Sequence, residues 1–410
     1  MKIKIEPSAL SGSISAIPSK SDAHRLLIAS LLSGERTEIY LPSSSVDIDT
    51  TINCIEALGA RITRTKDSVI LEKREAVNGV TLDCSESGST FRFMTPVASV
   101  LCDRVSFEGR GRLPDRPIVE LLDAMRKNGA EFSGDRLPFT KTGKLRSGVY
   151  ELPGNVSSQY ITGLLFALPL LEGNSEIRLT TKLESSAYID ITLWVLKRFG
   201  IEVEFKNNSY FIKGNQKYVS PSSLTVDGDW SNASYFLASG VEVTGLDLHS
   251  PQGDKRILDV FKALGGKIHE GKVIKADLSE LSGCVIDISE IPDTFPTLAV
   301  LATRAKGETK FVGGARLRMK ESDRIETTAK LIRALGGEVT EYDDGMSVKR
   351  CQLHGGEVDG AGDHRIVMAT ALASTLCDGE VIINGAEAVT KSYPSFFEDY
   401  EKLGGKCYVI

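Results

Sequence analysis

The sequence has no apolar run long enough to span a membrane. Its 410 residues are 41% hydrophobic, yet no stretch approaches the roughly 20 consecutive apolar residues that a transmembrane helix needs. The first residues, Met1 to Pro7, have neither the apolar core of a signal peptide nor the Arg-rich helix of a transit peptide. We therefore expect a cytoplasmic protein with no membrane partner.

Paired cysteines and excess basic charge are also absent. The seven cysteines are scattered and none forms a Cys-x-x-Cys pair, which argues against a disulfide framework or a zinc site. Lys and Arg number 49 against 55 Asp and Glu, whereas nucleic-acid binding depends on a broad basic face. Any anion that the protein binds is therefore expected to be small.

Six similar turns recur along the chain where an amphipathic helix pattern gives way to a strand pattern. Glycine suits each turn because it adopts left-handed backbone without a Cβ clash. The turn glycines are Gly59, Gly129, Gly200, Gly265, Gly336 and Gly404. Successive glycines are 65 to 71 residues apart, the length of a whole supersecondary unit. The sequence therefore predicts six similar units.

A second series of residues is in step with these turns. In each unit hydroxyl or acidic residues precede an apolar helix, and such side chains cap helices by accepting hydrogen bonds from the first free NH groups. The six helix starts are Ser19-Lys20-Ser21, Ser87-Gly88-Ser89-Thr90, Ser157-Ser158-Gln159, Asp229-Trp230-Ser231-Asn232, Pro292-Asp293-Thr294 and Gly362-Asp363-His364. Each unit should hold two helices with intervening strands, and one helix per unit should be buried yet polar in its first turn.

The chain is longer than a single hydrophobic core supports, so two domains of three units each are expected. Turn-forming residues are dense between Asn207 and Asp229, which suggests a boundary near Asp227. The first strand is surplus to the first three units and should pair with the last three. The predicted domains are residues 18–226 and residues 1–17 together with 227–410.

Basic residues lie at or near the predicted helix starts. A helix start carries partial positive charge and stabilises an anion by about 0.3 to 2 kcal/mol, and arginine forks fit carboxylate and phosphate oxygens. The cations are Lys20, Arg25, Arg92, Arg116, Lys320, Arg324, Arg365 and Lys391. They predict a site for small anions; the alternative is ordinary surface cations paired with neighbouring acids.

One segment, Met319 to Arg324, places four charges in five residues before an amphipathic helix. An exposed charged turn with Asp323 as the N-cap explains it. Alternatively, Lys320 and Arg324 lie one helical turn apart with Glu321 offset, so that cations and carboxylate project separately into a site.

Three further positions also have two interpretations. Asp293 is by default a helix N-cap, but a desolvated carboxylate is also what general-base catalysis requires. His364, between an acid and an arginine, is favoured as a structural histidine. Ser157, Ser158 and Gln159 form either a phosphate cradle or a plain polar cap.

Over essentially its whole length the chain resembles the EPSP synthase family, the 3-phosphoshikimate 1-carboxyvinyltransferases. The matching motifs, in family order, are Pro18-Ser19-Lys20-Ser21 with Arg25, Ser87 to Arg92, Arg112-Leu113 with Asp115-Arg116-Pro117, Ser157 to Tyr160, Tyr188-Ile189-Asp190, Ile291-Pro292-Asp293, Lys320 to Arg324, Asp363-His364-Arg365 and Lys391. The resemblance implies an α/β (α+β) fold. It consists of two similar domains, each of three βαβαββ units around a pseudo-threefold axis (an inside-out α/β barrel), with a hinged cleft between them.

The resemblance also implies two anionic small-molecule substrates and no metal or cofactor. Shikimate 3-phosphate would meet Lys20, Ser21, Arg25, Ser157, Ser158, Gln159, Ser185, Tyr188, Asp293 and Lys320. Phosphoenolpyruvate would meet Lys20, Gly88, Arg116, Gln159, Arg324, Arg365 and Lys391. The substrate 5-hydroxyl would add to C2 of phosphoenolpyruvate while C3 gains a proton, and the tetrahedral intermediate would then lose phosphate. Asp293 and Glu321 would be the acid/base pair, with Lys20 assisting.

The same resemblance places the protein in the shikimate pathway of aromatic amino acid biosynthesis, as a monomer and a glyphosate target. Four positions depart from the family pattern. Arg316 replaces an asparagine that is frequent four residues before the motif lysine. Glu86, Ser89 and Phe93 replace a common asparagine, threonine, and proline or leucine beside the phosphoenolpyruvate pocket, which leaves glyphosate sensitivity open.

Two other functions are compatible with six such units. UDP-N-acetylglucosamine enolpyruvyl transferases share the repeat architecture but usually have a cysteine in the loop that corresponds to Glu108–Pro117, and this loop has none. A non-catalytic anion-binding repeat protein would keep the cations at its helix starts. It would not need Asp293 and Glu321 together.

Overall fold

The computed structural model describes the backbone of residues 1–410 and the side chains of all of them except residue 73. Residue contacts divide this chain into two units. The N-unit is Pro18–Val226, and the C-unit is Met1–Ile17 together with Asp227–Ile410.

Helices and strands alternate along the whole described chain. The α-helices are α1 (Lys20–Ser33), α2 (Val46–Ala57), α3 (Gly88–Leu101), α4 (Val119–Lys127), α5 (Ser158–Ala167), α6 (Ser186–Arg198), α7 (Trp230–Ala238), α8 (Ile257–Ala263), α9 (Phe295–Ala302), α10 (Arg324–Ala334), α11 (His364–Ser374) and α12 (Phe396–Lys402). The strands are β1 (Lys2–Glu6), β2 (Ser13–Ser15), β3 (Thr37–Tyr40), β4 (Ala60–Arg64), β5 (Ser68–Arg74), β6 (Val80–Asp83), β7 (Val105–Glu108), β8 (Ala130–Phe132), β9 (Phe139–Gly143), β10 (Val149–Leu152), β11 (Ser175–Leu179), β12 (Val203–Lys206), β13 (Ser209–Ile212), β14 (Ser223–Thr225), β15 (Glu242–Thr244), β16 (Lys267–His269), β17 (Val273–Asp277), β18 (Val285–Asp287), β19 (Glu308–Val312), β20 (Val339–Tyr342), β21 (Gly345–Lys349), β22 (Gly356–Asp359), β23 (Val381–Asn384) and β24 (Lys406–Val409). None of these helices is long and apolar enough to cross a membrane, as far as the chain is described.

The strands form four-stranded sheets of one plan. In the N-unit the orders are β14-β3-β5-β4, β6-β7-β9-β8 and β10-β11-β13-β12. The first two strands of each sheet are parallel, and the remaining neighbours are antiparallel. In the C-unit the orders are β16-β17-β15-β2, β18-β19-β21-β20 and β22-β23-β1-β24. In four of the sheets a strand–helix–strand crossover joins the parallel pair. The parallel pairs β14–β3 and β15–β2 instead join strands that are distant in sequence.

The first strand of the chain lies inside a sheet of the C-unit. β1 pairs antiparallel with β23 on one side and with β24 on the other. Its alternating pattern buries Ile3 and Ile5 in the core of the C-unit, as period-2 alternation predicts for a sheet with one face covered. A little further on, β2 pairs in parallel with β15.

The six predicted turn glycines all have left-handed backbone. Their φ angles lie between +77° and +100°, where an L side chain is strained. These conformations confirm the turn positions that the repeat phase predicts. Each glycine follows the second helix of a repeat and returns the chain to the sheet.

The first helix of each repeat is buried and polar where it begins. In the C-unit α7, α9 and α11 pack against one another, and all of their residues are buried. Five of the six predicted caps are confirmed, because each side chain accepts a hydrogen bond from the first turn of its helix. These caps are Ser19, Ser87, Ser157, Asp229 and Asp363. The sixth helix start is different and is described with the site.

The turn glycines give a direct test of this backbone requirement. Gly59→Ala should lower the free energy of unfolding by more than Gly34→Ala. Both positions have left-handed φ angles, which cost an L residue about 1–2 kcal/mol. At Gly59 a Cβ would also lie 2.1 Å from the backbone oxygen of Glu75, whereas at Gly34 nothing lies within 4 Å. Urea denaturation followed by circular dichroism measures both variants. Equal destabilisation would contradict the prediction.

Candidate active site

The guanidinium of Arg324 binds three carboxylates within the C-unit. Arg324 is the first residue of α10 and is only 1% exposed. Its partners are Asp293 at 2.7 Å, Glu321 at 2.7 Å and Asp363 at 2.9 Å. A guanidinium has a planar fork of donors, which allows one side chain to hold several oxygens at once. Both carboxylates of the predicted acid/base pair, Asp293 and Glu321, therefore contact the same cation.

Asp363 connects the starts of two helices. As the N-cap of α11, it accepts a hydrogen bond from the backbone NH of Arg365 at 2.9 Å. It also accepts one from the Ser322 hydroxyl at 3.0 Å and binds Arg324. The carboxylate is fully buried, so these donors replace the water that it loses. The first turns of α10 and α11 are thus held together by one acid.

The default interpretation of Asp293 as a helix N-cap is wrong. Pro292 begins a 3₁₀ turn, Pro292–Thr294, and helix α9 begins only at Phe295. The helix start is therefore displaced past Asp293, and its carboxylate is available to cations. Besides Arg324 it contacts Arg365 Nη2 at 3.3 Å and Lys320 Nζ at 3.7 Å.

The predicted helical spacing of Lys320 and Arg324 is also wrong. Asp323, not Lys320, precedes α10, and it caps the helix by accepting from the NH of Glu326 at 3.1 Å. Lys320 has extended backbone at the end of the 3₁₀ turn Ala315–Met319. Both cations nevertheless contact Oδ1 of Asp293, so the extended backbone achieves the convergence that the helical spacing was expected to give.

The charges of this cluster shift one another's pKa values. Burial alone would raise the pKa of the Asp293 carboxyl, but Lys320, Arg324 and Arg365 hold it well below its usual value. Burial likewise opposes the charge of Arg324, and its carboxylates reverse the effect, so that its pKa is raised. The pKa of Lys320 is lowered, first by burial and then by the positive charge of Arg324, although Asp293 opposes this shift. Asp293 is therefore ionised at neutral pH.

Buried donors at the starts of α7 and α11 lie beside this cluster. Arg365 donates from Nη1 to the amide oxygen of Asn232 at 3.3 Å. Among the described residues, no acceptor reaches the buried Nε of Arg365 or the amide nitrogen of Asn232. Buried donors are costly to leave without an acceptor, and an anion would supply one. Lys391 lies beside the same helix start and donates to the carbonyl of Gly362 at 2.9 Å. His364 is 2% exposed, and its role as a structural histidine stays a prediction.

The N-unit holds its predicted residues in smaller groups. Lys20, the first residue of α1, contacts Asp47 at 2.7 Å. Arg25 is buried and donates to the carbonyls of Ser21 at 2.6 Å and Tyr188 at 2.8 Å. Ser185 lies just before α6 in left-handed backbone, φ 53°. The structure thus brings Ser21, Arg25 and Tyr188 together.

Gly88 allows the guanidinium of Arg116 to approach the start of α3. A Cβ at position 88 would lie 2.5 Å from Nη1 of Arg116. Because the φ of Gly88 is not left-handed, close approach and not backbone conformation makes glycine necessary here. Arg116 itself follows the 3₁₀ turn Leu113–Asp115.

Gln159 is oriented by Arg92. Its amide oxygen accepts from Arg92 Nη1 at 2.7 Å, and its amide nitrogen donates to the Ser89 hydroxyl at 2.9 Å. The remaining Arg92 nitrogens donate to the carbonyl of Pro117. Arg92 therefore positions Gln159 and the segment after Arg116. Ser157 caps α5, so the polar-cap interpretation is confirmed, and the phosphate cradle stays a prediction.

Two acids in these clusters were not singled out from the sequence as site residues. Asp47 lies in the first turn of α2, where an acidic residue is common, and only the structure shows its pairing with Lys20. Asp254 is buried and accepts a hydrogen bond from the Ser231 hydroxyl. Burial, followed by the negative charge of Asp293, raises its pKa to about 7. Arg316, left unassigned from the sequence, donates to the carbonyl of Ser289 at 3.1 Å.

Comparison with known proteins identifies relatives over the whole chain. A family model described as EPSP synthase (3-phosphoshikimate 1-carboxyvinyltransferase) matches residues 5–400. A 3-phosphoshikimate 1-carboxyvinyltransferase of Clostridium acetobutylicum is 43% identical, and the alignment covers 98% of this chain and 97% of that protein. One of Clostridium perfringens is 40% identical over 98% of each chain.

Solved structures match the fold. An EPSP synthase of Acinetobacter baumannii has a TM-score of 0.80 at 24% identity, with complete coverage of both chains. The enolpyruvyl transferase NikO of Streptomyces tendae has a TM-score of 0.81 at 16% identity, covering 99% of this chain and 98% of that one. These matches confirm the predicted class of mixed helix and strand.

The charge state of Asp293 should make stability depend on pH. Asp293→Asn should lower the free energy of unfolding near pH 7 by about 3–5 kcal/mol, because it leaves buried cations uncompensated. Since the folded-state pKa of Asp293 is depressed, its ionised form stabilises the fold above roughly pH 4, and this contribution is lost as the pH falls further. The stability difference from the native protein should therefore narrow between roughly pH 5 and pH 2.

Urea denaturation at a series of pH values measures this difference. Glu398→Gln, which removes an exposed carboxylate of α12, is the control and should show little difference at any pH. A difference for Asp293→Asn that stayed constant down to low pH would contradict the assignment of a depressed pKa.

Proposed function

The chain belongs to the EPSP synthase family, and on that premise we propose that it transfers the enolpyruvyl group of phosphoenolpyruvate to the 5-hydroxyl of shikimate 3-phosphate and releases phosphate. The observation that carries this proposal is the Arg324 cluster. In this cluster Arg324 binds Asp293, Glu321 and Asp363, and Lys320 and Arg365 also contact Asp293. It combines two carboxylates suited to proton transfer, Asp293 and Glu321, with cations suited to binding anionic substrates. A protein that only bound anions would not need both carboxylates on one guanidinium.

Shikimate 3-phosphate is proposed to bind polar groups at helix starts in each unit. The N-unit would supply Lys20, Ser21, Arg25, Ser157, Ser158, Gln159, Ser185 and Tyr188, and the C-unit would supply Asp293 and Lys320. Arg25 supports this assignment because its three hydrogen bonds go to neutral oxygens. Its guanidinium keeps two further N–H groups that fit a carboxylate or a phosphate.

Phosphoenolpyruvate is proposed to bind the remaining cations. The N-unit would supply Lys20, Gly88, Arg116 and Gln159, and the C-unit would supply Arg324, Arg365 and Lys391. The buried Nε of Arg365, which has no acceptor among the described residues, supports an anion at the start of α11. The partial positive charge of that helix start would add to the attraction.

Asp293 and Glu321 are proposed to move the protons, with Lys20 assisting. The oxygen of the 5-hydroxyl forms a bond to C2 of phosphoenolpyruvate, its proton leaves to a base, and C3 gains a proton to become a methyl group. In the second step C3 loses a proton, the C2–O bond to phosphate breaks and the enol ether forms. Fixed cations stabilise the charge that develops on the substrate oxygens.

Substrate binding should itself change the basicity of Asp293. In the structure, Lys320, Arg324 and Arg365 depress its pKa. Bound phosphate and carboxylate groups offset the field of these cations, so the pKa of Asp293 rises towards the range in which a carboxylate accepts a proton readily. The carboxylate thus becomes a stronger base as each anion binds.

The proposal includes the setting of the enzyme. We propose a monomer of two domains, the N-unit and the C-unit, in the cytoplasm, that serves aromatic amino acid biosynthesis. A UDP-N-acetylglucosamine acceptor is not favoured, because the relatives are named for 3-phosphoshikimate and the Glu108–Pro117 loop has no cysteine.

The reaction is tested by phosphate release. Purified protein mixed with shikimate 3-phosphate and phosphoenolpyruvate, without added metal, should release inorganic phosphate in proportion to the enol ether formed. Omitting either substrate, and replacing the acceptor by UDP-N-acetylglucosamine, are the controls. If phosphate were released with UDP-N-acetylglucosamine but not with shikimate 3-phosphate as the acceptor, the proposed acceptor would be wrong. If no phosphate were released with either acceptor, the proposed reaction would be wrong.

Gly88→Ala should weaken the use of phosphoenolpyruvate selectively. The new Cβ would displace the flexible end of Arg116. Losing the charge-assisted contact of Arg116 with phosphoenolpyruvate corresponds to roughly a 10- to 100-fold rise in the KM for phosphoenolpyruvate. The KM for shikimate 3-phosphate and the melting temperature should change little. Gly134→Ala, where a Cβ would meet only Arg136 O at 3.9 Å, is the matched control. If the KM for phosphoenolpyruvate were unchanged in Gly88→Ala, the proposal that Arg116 binds phosphoenolpyruvate would be wrong.

A further inference from the structure

Arg25 lies against the face of an aromatic ring. Its Cζ is 5.0 Å from the centroid of the Phe93 ring on α3. The two side chains are 2% and 1% exposed, so water does not shield the contact. The three hydrogen bonds of Arg25 go to two backbone carbonyls and the Thr192 hydroxyl, none of which carries a negative charge.

A buried guanidinium without a bound carboxylate needs other compensation. Burial lowers the pKa of Arg25 to about 10, although the acidic groups of Asp22 and Tyr188 oppose the shift. The face of a phenyl ring carries the negative part of its quadrupole, and this attraction to a cation is strongest where water is excluded. The ring of Phe93 therefore stabilises the charge of Arg25 without using any of its N–H donors.

The ring of Phe93 is itself held in place on another side. His24 meets it edge-on, with centroids 6.4 Å apart and an interplanar angle of 86°. Nδ1 of His24 is hydrogen-bonded to the Thr51 hydroxyl at 2.6 Å. The Thr51 hydroxyl is in turn hydrogen-bonded to the Thr90 hydroxyl at 2.7 Å. Burial keeps the pKa of His24 well below its usual value, and the nearby charges of Lys20 and Arg25 act in the same direction. The His24 imidazole is therefore neutral at physiological pH, so of these two side chains only Arg25 is a cation beside the Phe93 ring.

We propose that Phe93 is a positioning residue for Arg25, whose ring face fixes the buried guanidinium so that its remaining N–H groups are available to an anionic group of the substrate. This inference rests on the proposed function, because it takes Arg25 as a ligand of shikimate 3-phosphate. The contact thereby contributes to the affinity for the phosphorylated substrate.

The test changes the electrostatics of the ring and keeps its size. Phenylalanine bearing one, two or three fluorines is placed at position 93, which weakens the negative ring face stepwise. The KM for shikimate 3-phosphate should rise about twofold per fluorine, reaching roughly 5- to 30-fold in Phe93→Leu. The KM for phosphoenolpyruvate and kcat should stay within about twofold, because Arg25 contacts neither the enol nor the proton donor.

Position 91 provides the matched control on the same helix. Phe91 is equally buried, but its ring contacts Phe107 and Phe139 at centroid distances of 6.3 and 5.9 Å. The same fluorinated series and Phe91→Leu should alter the melting temperature and leave the KM for shikimate 3-phosphate unchanged. The inference would be overturned if fluorination at position 93 left the KM for shikimate 3-phosphate unchanged. It would also be overturned if the series at positions 93 and 91 changed this KM equally.

A calorimetric measurement of shikimate 3-phosphate binding distinguishes a failure of this inference from a failure of the proposed function. A native protein that binds the compound and releases phosphate supports the function, and the fluorinated series then decides the role of Phe93. Binding without turnover would overturn the proposed reaction, while a graded loss of affinity at position 93 would still support the inference. A native protein that binds no shikimate 3-phosphate would overturn both.

Discussion

The contact of one buried guanidinium with three carboxylates determines the arrangement of the C-unit site. Arg324 holds Asp293 from the turn before α9, Glu321 from the segment before α10, and Asp363 from the start of α11. Removing any one partner leaves the others buried with unbalanced charge, which is strongly destabilising. The helix starts are therefore fixed relative to one another by electrostatics as well as by the apolar packing of α9 and α11.

The N-unit compensates the buried cation Arg25 in another way. Arg25 is surrounded by neutral oxygens and an aromatic face, whereas Arg324 is matched by acids. A cation held by neutral groups keeps most of its attraction for an added anion, and a cation matched by carboxylates has that attraction partly offset. The two units thus differ in kind. Arg25 is suited to binding, and the Arg324 cluster is suited to adjusting the acidity of the groups that move protons.

Sequence reasoning could predict features that depend on neighbouring residues. The period of the turn glycines located six left-handed turns, and hydroxyl or acidic side chains located five caps. It was wrong at Asp293 because Pro292 starts a 3₁₀ turn and delays the helix. The pairing of Lys20 with Asp47 lies 27 residues apart in sequence, and no local pattern reveals such contacts. The domain boundary and the substrate contacts stay predictions.

The position of β1 has a consequence for the order in which the chain is completed. β1 lies between β23 and β24, so its strand partners are synthesised only after the whole of the N-unit. The N-unit, which is a continuous segment, can fold while the ribosome is still translating, whereas this C-unit sheet must wait until β24 has been synthesised. Nascent β1 therefore exposes two unpaired edges and apolar side chains until then, and the alternating lysines and glutamate of Lys2–Glu6 limit its association with other strands in that interval.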